Sequence, residues 1–410
     1  MKIQKILKRL LQLHPKSIDL SLSRIKRLLK DLKNPEKKIT NAIQVVGTNG
    51  KFSVCSSLRE IFETAGYSVN MNISPSIRKF NERFYFYGKY ISDEELYELL
   101  IEVEKINKSQ NITFHEFICA CFFLAASRKK SDINILESGL FFRLDASNVL
   151  EQNIASVITP IGIDHKDFLK SGTIDEIIYE KCSHLLNDSR IFIAQQKDDV
   201  LNKIKKIIYS NSSQKFIFDE DYSYNQNDNG FVYSDKMGKL NLPSPNLLGN
   251  FQLNNVSTAI SVARNLGQFK ITEKDIKRAI IKIRSEGRLQ IITKGKLKRY
   301  ISKDNEILID GAHNTLAASA IKDFLKNFYN KKRIIMVLGM MANKEHEEFI
   351  NVFKKKIHSI IAVDIPNQNN FVKKEKLMKI AKSCGIPSTT ENSIEQAFKN
   401  ASKQSNDALI

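Results

Sequence analysis

The sequence predicts an α/β protein: parallel strands wrapped by helices, in a large N-terminal domain over residues 1–286 and a smaller domain over residues 287–410. Three observations carry this. Apolar runs of strand length alternate with stretches of helical periodicity. A glycine–lysine turn, Gly47-Thr48-Asn49-Gly50-Lys51-Phe52-Ser53, joins one such run to the next helix. A second alternating block starts near Gly287.

Taken in order, apolar spacing at Ile6, Leu7, Leu10 and Leu11, then at Ile25, Leu28, Leu29 and Leu32, predicts two helices around a His14-Pro15-Lys16 loop. Ala42–Val46 predicts a strand and Val54–Ala65 a helix. Ser92–Asn107 and Phe114–Arg128 predict helices, while Ile133–Leu136, Ile154–Ile158 and Ile191–Ala194 predict strands. Asp175–Leu186 has helical periodicity. The segment from Ser210 to Leu242 is rich in Asn, Asp, Ser, Tyr and Gly, and predicts a small antiparallel excursion turning at Asn227-Asp228-Asn229-Gly230. Asn255–Leu266 and Glu273–Ile283 predict helices. Beyond Gly287, strands at Glu306–Ile309, Ile334–Leu338 and Ser359–Val363 alternate with helices at Thr315–Asn327, Glu345–Lys356 and Lys373–Ser383. That alternation predicts a Rossmann-like domain. Asp407–Ile410 reads as the start of a further strand, so the last sheet is expected to be incomplete.

Composition narrows the function classes. A chain of 410 residues with 42% hydrophobic content has ample core for two domains. There is no apolar run of about 18 residues, so no membrane span is expected. Met1-Lys2-Ile3-Gln4-Lys5 is charged and amphipathic, without the apolar region of a secretory leader. Five scattered cysteines argue for a reducing compartment, so a cytoplasmic protein is expected; Cys119 and Cys121 read as buried, inert thiols. The net charge of +19 is spread over the chain, which fits a lysine-rich surface or attraction of polyanions such as ATP. No basic helix with interleaved aromatics points to nucleic acid.

A strand, a glycine turn, a lysine and a hydroxyl at a helix start form a phosphate cradle: backbone N–H groups face phosphate oxygens, Lys51 adds charge and Ser53 can hold Mg²⁺. The spacing departs from the strict P-loop, because Gly47 lies only three residues before Gly50. Glu137 ends the strand Ile133–Leu136 and is a Mg²⁺ candidate, since strand carboxyl ends line the ligand crevice of an open α/β sheet. Asp164-His165 also follows a strand and turn, although imidazole is an unusual Mg²⁺ ligand. Lys181 reads locally as a surface lysine. Asp310-Gly311-Ala312-His313-Asn314 follows a strand and precedes a helix, where an acid can take ribose hydroxyls and an Asn can simply cap. Arg288 is a candidate phosphate contact, or a solvated linker arginine.

In order and spacing these segments resemble the folylpolyglutamate synthase/dihydrofolate synthase family of the Mur ligase superfamily, over almost the whole chain. Leu13-His14-Pro15-Lys16-Ser17-Ile18-Asp19-Leu20 resembles its N-terminal helix–loop segment, and Gly47–Lys51 its ATP loop. Ser74-Pro75-Ser76 with Phe80-Asn81-Glu82-Arg83 resembles the folate-side loop. Glu137 to Asn148 resembles the family signature that runs from a glutamate to Arg-Leu-Asp-Ala-Thr-Asn. Asp164-His165, Glu180-Lys181, the Leu248–Asn255 segment and Asp310–Asn314 match in context. The resemblance implies a P-loop-type ATPase domain followed by a Rossmann-like ligase domain. It implies an ATP-dependent carboxylate–amine ligase with Mg²⁺ at two sites. L-glutamate would be joined to dihydropteroate or folate through an acyl phosphate, by a monomer working without nucleic acid or membrane. By residue, it implies that Gly47, Thr48, Asn49, Gly50, Lys51, Ser53, Asn255, Arg288, Asp310 and His313 bind ATP. Ser53, Glu137, His165 and a carbamylated Lys181 would serve the metals, with Lys51, Lys181 and His165 catalytic. Ser74, Pro75, Phe80, Arg83, Arg143 and Asp145 would line the acceptor site.

Three departures set expectations. Phe52 stands where the family has glycine, and its bulk is expected to fill space that nucleotide or a neighbouring strand needs. Phe141-Phe142 stands where the family has Gly-Gly. If those positions need positive φ, each phenylalanine costs about 1–2 kcal/mol; if the glycines allow close backbone approach to a ligand, the loss falls on binding instead. Ser76 replaces a histidine, which alters acceptor contacts. Phe52, Phe141-Phe142 and the short C-terminus leave open a degenerate, non-catalytic or weakly active nucleotide-binding homologue. A cell-wall Mur ligase would need a domain before the ATP loop, where only 46 residues precede Gly47. A P-loop GTPase is disfavoured because Asn343-Lys344-Glu345-His346 lacks the guanine-reading aspartate.

Overall fold

The computed structural model describes residues 2–16 and 18–410; Met1 and Ser17, each part of a segment read above, lie outside the described residues. The chain forms two compact units. One comprises Met1–Ile161, Ile174–Asn246 and Gln252–Arg284, and the other Gly162–Thr173, Leu247–Phe251 and Ser285–Ile410.

Among the described residues of the first unit, eight strands form one sheet. Their order is Lys89–Tyr90, Phe84–Phe86, Val69–Asn72, Ile133–Glu137, Ala42–Val46, Ala155–Ile158, Arg190–Ile193 and Gln214–Ile217. The six strands from Val69–Asn72 onward pair in parallel, and the two at the first edge are antiparallel. Every residue of Ala42–Val46 and Ile133–Glu137 is buried, which explains why these strands read as continuous apolar runs. Polar residues inside the sheet are paired. Gln44 donates to Ser147 O at 3.0 Å and accepts from Asn153 Nδ2 at 2.8 Å, while Asn134 donates to Thr40 O at 2.7 Å.

The helices Asp93–Asn107 and Phe114–Arg128 begin at capping boxes, Ser92 with Glu95 and Thr113 with Glu116. They pack with Lys2–Leu10 and Ser23–Asp31 into one apolar cluster. The antiparallel excursion is three-stranded, Tyr222–Asn227, Gly230–Asp235 and Gly238–Pro243. The helix after the glycine–lysine turn runs Lys51–Thr64, three residues earlier than its apolar periodicity indicates, because Gly50 at φ 86° ends the turn. The helix expected at Asn255 starts at Asn250, directly after Gly249 at φ 92°.

In the second unit the strands Ser388–Thr390, Ser359–Ala362, Arg333–Leu338 and Ala408–Leu409 form a parallel sheet in that order. Ala408–Leu409 ends that order, and its far side is covered: Ala408 and Ile410 hydrogen-bond with Glu306 and Leu308. The strand expected at Glu306–Ile309 is only Leu308–Ile309, paired antiparallel with Gln290–Ile291.

Candidate active site

Gly47 and Gly50 are required by the space around them. A Cβ on Gly47, at φ 150°, would lie 2.0 Å from Thr159 Oγ1 and 2.8 Å from Thr159 O. A Cβ on Gly50 would lie 2.5 Å from Asn255 Oδ1, which places Asn255 against the turn. The N–H groups of Thr48 and Asn49 donate to Pro160 O at 3.0 and 3.2 Å, and Lys51 Nζ donates to Gly47 O and Thr48 O at 3.0 and 3.2 Å. The helix Lys51–Thr64 starts on a glycine, which has no side chain to accept its first N–H groups. The donor set fits an anionic ligand and a hard cation. The cradle is closed to side chains, it carries a lysine, and Ser53 Oγ and the Glu137 carboxylate are oxygen ligands of the kind Mg²⁺ prefers.

Glu137 is 4% exposed and accepts Ser74 N–H at 3.0 Å. Cys55, beneath the turn, reports on the same region. Burial and then the charge of Glu137 push its thiol well up, against Lys51. Lys181 is not the surface lysine that its local sequence indicates. It is 3% exposed, and its Nζ donates to Gly47 O at 2.9 Å and Leu140 O at 2.7 Å. The ring of Phe141 lies 5.2 Å from the same nitrogen. Lys181 therefore ties the phosphate turn to the loop that follows Glu137.

That loop corrects the expectation for Phe141-Phe142. Neither residue has positive φ, and they are 1% and 0% exposed. Phe142 and Arg143 N–H both donate to Glu180 O, at 3.1 and 2.8 Å. The phenylalanines are core residues without backbone strain. Phe142→Ala is expected to destabilise the fold by about 3–5 kcal/mol, as large cavities in cores do, read as a lowered midpoint in urea unfolding. Phe52 occupies the first turn of a regular helix, partly exposed.

The acceptor-side residues fall into distinct places. Ser74-Pro75 is a cis peptide bond. The Arg83 guanidinium lies over the Phe80 ring at 5.1 Å, and burial lowers its pKa against the opposing influence of Cys119 and Glu137. Arg143 is held by Glu180 in a bidentate pair, Nε and Nη2 at 2.9 and 2.7 Å from Oε1. Asp145 is buried and receives the N–H groups of Gly139, Leu140 and Ser147.

The second unit holds the remaining expected residues. His313 Nε2 lies 3.1 Å from Asp164 Oδ2, Asn314 Nδ2 donates to the same oxygen at 3.0 Å, and Lys344 Nζ donates to Oδ1 at 2.6 Å. Asp164, His165 and His313 offer ligand atoms within 4.8 Å of one another. Burial opposes ionisation of Asp164, but the His313 hydrogen bond, the charges of His165 and His313 and the Lys344 hydrogen bond hold its carboxyl well below the usual range. Lys344 is the site residue that sequence reasoning missed. The Asp-His pair was visible, but Lys344 lies 180 residues away with no local signal. Asp310 turns inward: its carboxylate accepts Leu289 and Ala312 N–H at 2.8 Å each, and burial raises its pKa. Arg288 Nη1 donates to Gly287 O at 3.0 Å, and a Cβ on Gly311 would meet that nitrogen at 2.7 Å. Asn314 caps the helix Thr315–Phe328 through Ala317 N–H. Asp164→Asn is expected to destabilise this unit by about 3 kcal/mol, because Lys344 loses its buried counter-charge. Scanning calorimetry should show a lower transition temperature, partly recovered by adding Lys344→Met.

Residues 45–263 match the Mur ligase middle domain, and residues 287–410 match the Mur ligase glutamate ligase domain. The chain is 30% identical over 371 residues to a dihydrofolate synthase/folylpolyglutamate synthase of Buchnera aphidicola, covering 87% of this chain and 82% of that one. It is also 30% identical over 346 residues to the protein of that name from Haemophilus influenzae, covering 81% and 76%. The chain belongs to the dihydrofolate synthase/folylpolyglutamate synthase family of Mur ligases. Among solved structures, Escherichia coli FolC in complex with DHPP and ADP superposes with a TM-score of 0.88 at 24% identity, covering 99% of this chain and 93% of that one. The Yersinia pestis bifunctional synthase complexed with AMPPNP and Mn has a TM-score of 0.86 at 22% identity, covering 99% and 93%. These likenesses show the family's fold, a parallel-sheet domain with a smaller α/β domain. No described helix is long and apolar enough to cross a membrane.

Proposed function

We propose that this protein is an ATP-dependent ligase that joins L-glutamate to dihydropteroate, to a folylpolyglutamate, or to both. The observation that carries the reading is the clamp at the phosphate turn. Two glycines with no room for a side chain bring Lys51 and Ser53 to a helix start, and the buried Lys181 fastens that turn to the loop after Glu137. Members of the family bear names for this reaction, which supports the same reading.

In the proposed reaction an acceptor carboxylate attacks the γ-phosphorus of ATP, ADP departs, and an acyl phosphate forms. The glutamate amine then attacks the acyl carbon and phosphate leaves, the amine proton passing to solvent. Lys51 and the helix start hold the phosphates in line. Ser53 and Glu137 would hold one Mg²⁺, which when bound neutralises charge on the phosphates. We assign His165 and, once carbamylated, Lys181 to a second metal, and His313, Asp310, Asn255 and Arg288 to the nucleotide. Ser74, Pro75, Phe80, Arg83, Arg143 and Asp145 are assigned to the acceptor. Residues 1–286 would be the ATP-binding part and 287–410 the ligase part.

The comfortable burial of Phe141 and Phe142 removes one observation that favoured a degenerate homologue. The five free thiols, all buried, fit a reducing, cytoplasmic setting. We further propose a monomer, which light scattering tests. Glutamate-dependent ADP release is expected from the purified protein with dihydropteroate or with tetrahydrofolate as acceptor. Nucleotide binding without release with either acceptor overturns the ligase reading.

A further inference from the structure

The loop after Glu137 is held from a second side by a residue that the proposed reaction does not use. His115 lies in the first turn of the helix Phe114–Arg128. Its Nε2 is 3.5 Å from Asp145 Oδ2, and its side chain is 32% exposed. The same Asp145 oxygen accepts the N–H groups of Gly139 and Leu140 at 3.0 and 3.3 Å, while Oδ1 accepts Ser147 N–H and Oγ–H at 2.9 and 2.6 Å. Gly139 is pressed against the imidazole, where an added Cβ would lie 2.7 Å from Nε2. Leu140, whose N–H Asp145 holds, is also the residue whose carbonyl receives the Lys181 ammonium. A continuous line of contacts thus runs from His115 through Asp145 to the lysine clamp.

We propose that His115 is a positioning residue for the ligase reaction: its imidazolium anchors Asp145, and through Asp145 it sets the Gly139–Leu140 turn that receives Lys181. The proposal rests on the ligase reading above. Besides its partner Asp145, two further ionisable groups, Cys119 and Arg83, lie around the imidazole. Asp145 faces His115 from the loop, and Cys119 Sγ lies 3.7 Å away on the same helix. Arg83, from the Phe80–Arg83 turn, is one step further, beside Cys119 and Glu137. Burial disfavours charge on both partners, yet His115 is raised well above 6.5 by Cys119 and Asp145. Asp145 is lowered to about 2 by His115 and by the Ser147 hydrogen bonds.

A histidine with a raised folded pKa keeps its contribution below the unfolded value and loses it as pH rises through the folded value. Activity should therefore fall on the alkaline side, at a midpoint above 6.5, when His115 gives up its proton.

The test pairs two measurements on the full chain. Histidine side-chain NMR titration of the wild type, assigned through the signal missing in His115→Gln, should show His115 titrating above 6.5 and moving down in Asp145→Asn. The pH profile of ADP release should carry an alkaline limb at the same midpoint. In His115→Gln that limb should vanish, with kcat about ten- to a hundredfold lower, the scale of a displaced catalytic loop. A His115 that titrates at or below 6.5 overturns the proposal, as does a His115→Gln profile that keeps the limb. A wild type without ADP release at any pH, but with the His115 titration intact, instead overturns the ligase reading.

Discussion

Gly47→Ala should abolish nucleotide binding and destabilise the first unit by several kcal/mol. The added methyl would overlap Thr159 Oγ1 at 2.0 Å and crowd Thr159 O at 2.8 Å. Overpacking of about 1–3 kcal/mol adds to the about 1–2 kcal/mol of an L side chain at positive φ. Gly66→Ala supplies the control: its φ is 95°, but nothing lies within 4 Å of the added Cβ. That variant should lose only about 1 kcal/mol, and nucleotide affinity should be unchanged by calorimetric titration. Thr159→Ala in the Gly47→Ala background should recover part of the stability, because the hydroxyl clash goes and the carbonyl contact stays. Equal losses at the two glycines would place the effect in the backbone alone and sink the steric account.

Lys181→Ala should lower kcat by about 10²–10³-fold, the effect of removing one preorganised charge at a phosphoryl-transfer site. ATP affinity should change only a few-fold, because Lys51 and the helix start remain. The surroundings of Nζ are those of a cation: two carbonyl oxygens and the face of Phe141. A carbamate on this nitrogen requires those hydrogen bonds to open. Added short carboxylates should restore part of the Lys181→Ala activity if the carbamate forms in turnover. Failure of that rescue assigns Lys181 the role of an ammonium clamp, with kcat measured by ADP release at saturating ATP.

The phosphate turn, Glu137 and the strand–helix alternation were legible because each is encoded locally, by a glycine beside a lysine or by apolar residues at a fixed period. The paired residues were not. Asp164 finds Lys344 across 180 positions, and a lysine followed by glutamate and histidine looks like any solvated helix start. His115 reaches Asp145 from a helix whose neighbours are nearly all apolar, so nothing near it signals a charged partner. The short edge strands Phe84–Phe86 and Lys89–Tyr90 follow a loop segment and carry too few residues for a period to show. Phe141 and Phe142 were legible as a departure but not in their consequence: the positive-φ branch of that expectation does not apply, because a buried space holds both rings without backbone strain.

The Lys181 clamp also bears on how the chain acquires its fold. It joins residues 134 positions apart, and Gly50 is backed by Asn255, more distant still. During synthesis the phosphate turn leaves the ribosome long before either partner exists. Its final geometry is therefore assembled late, from contacts whose loop-closure entropy must already be met. A nascent chain that stops short of Lys181 carries the complete motif and its Thr159–Pro160 contacts, but lacks the restraints from Lys181 and Asn255. Nucleotide capture by such a chain would lag behind the appearance of its sheet, so ATP affinity serves as a probe of the last stage of folding.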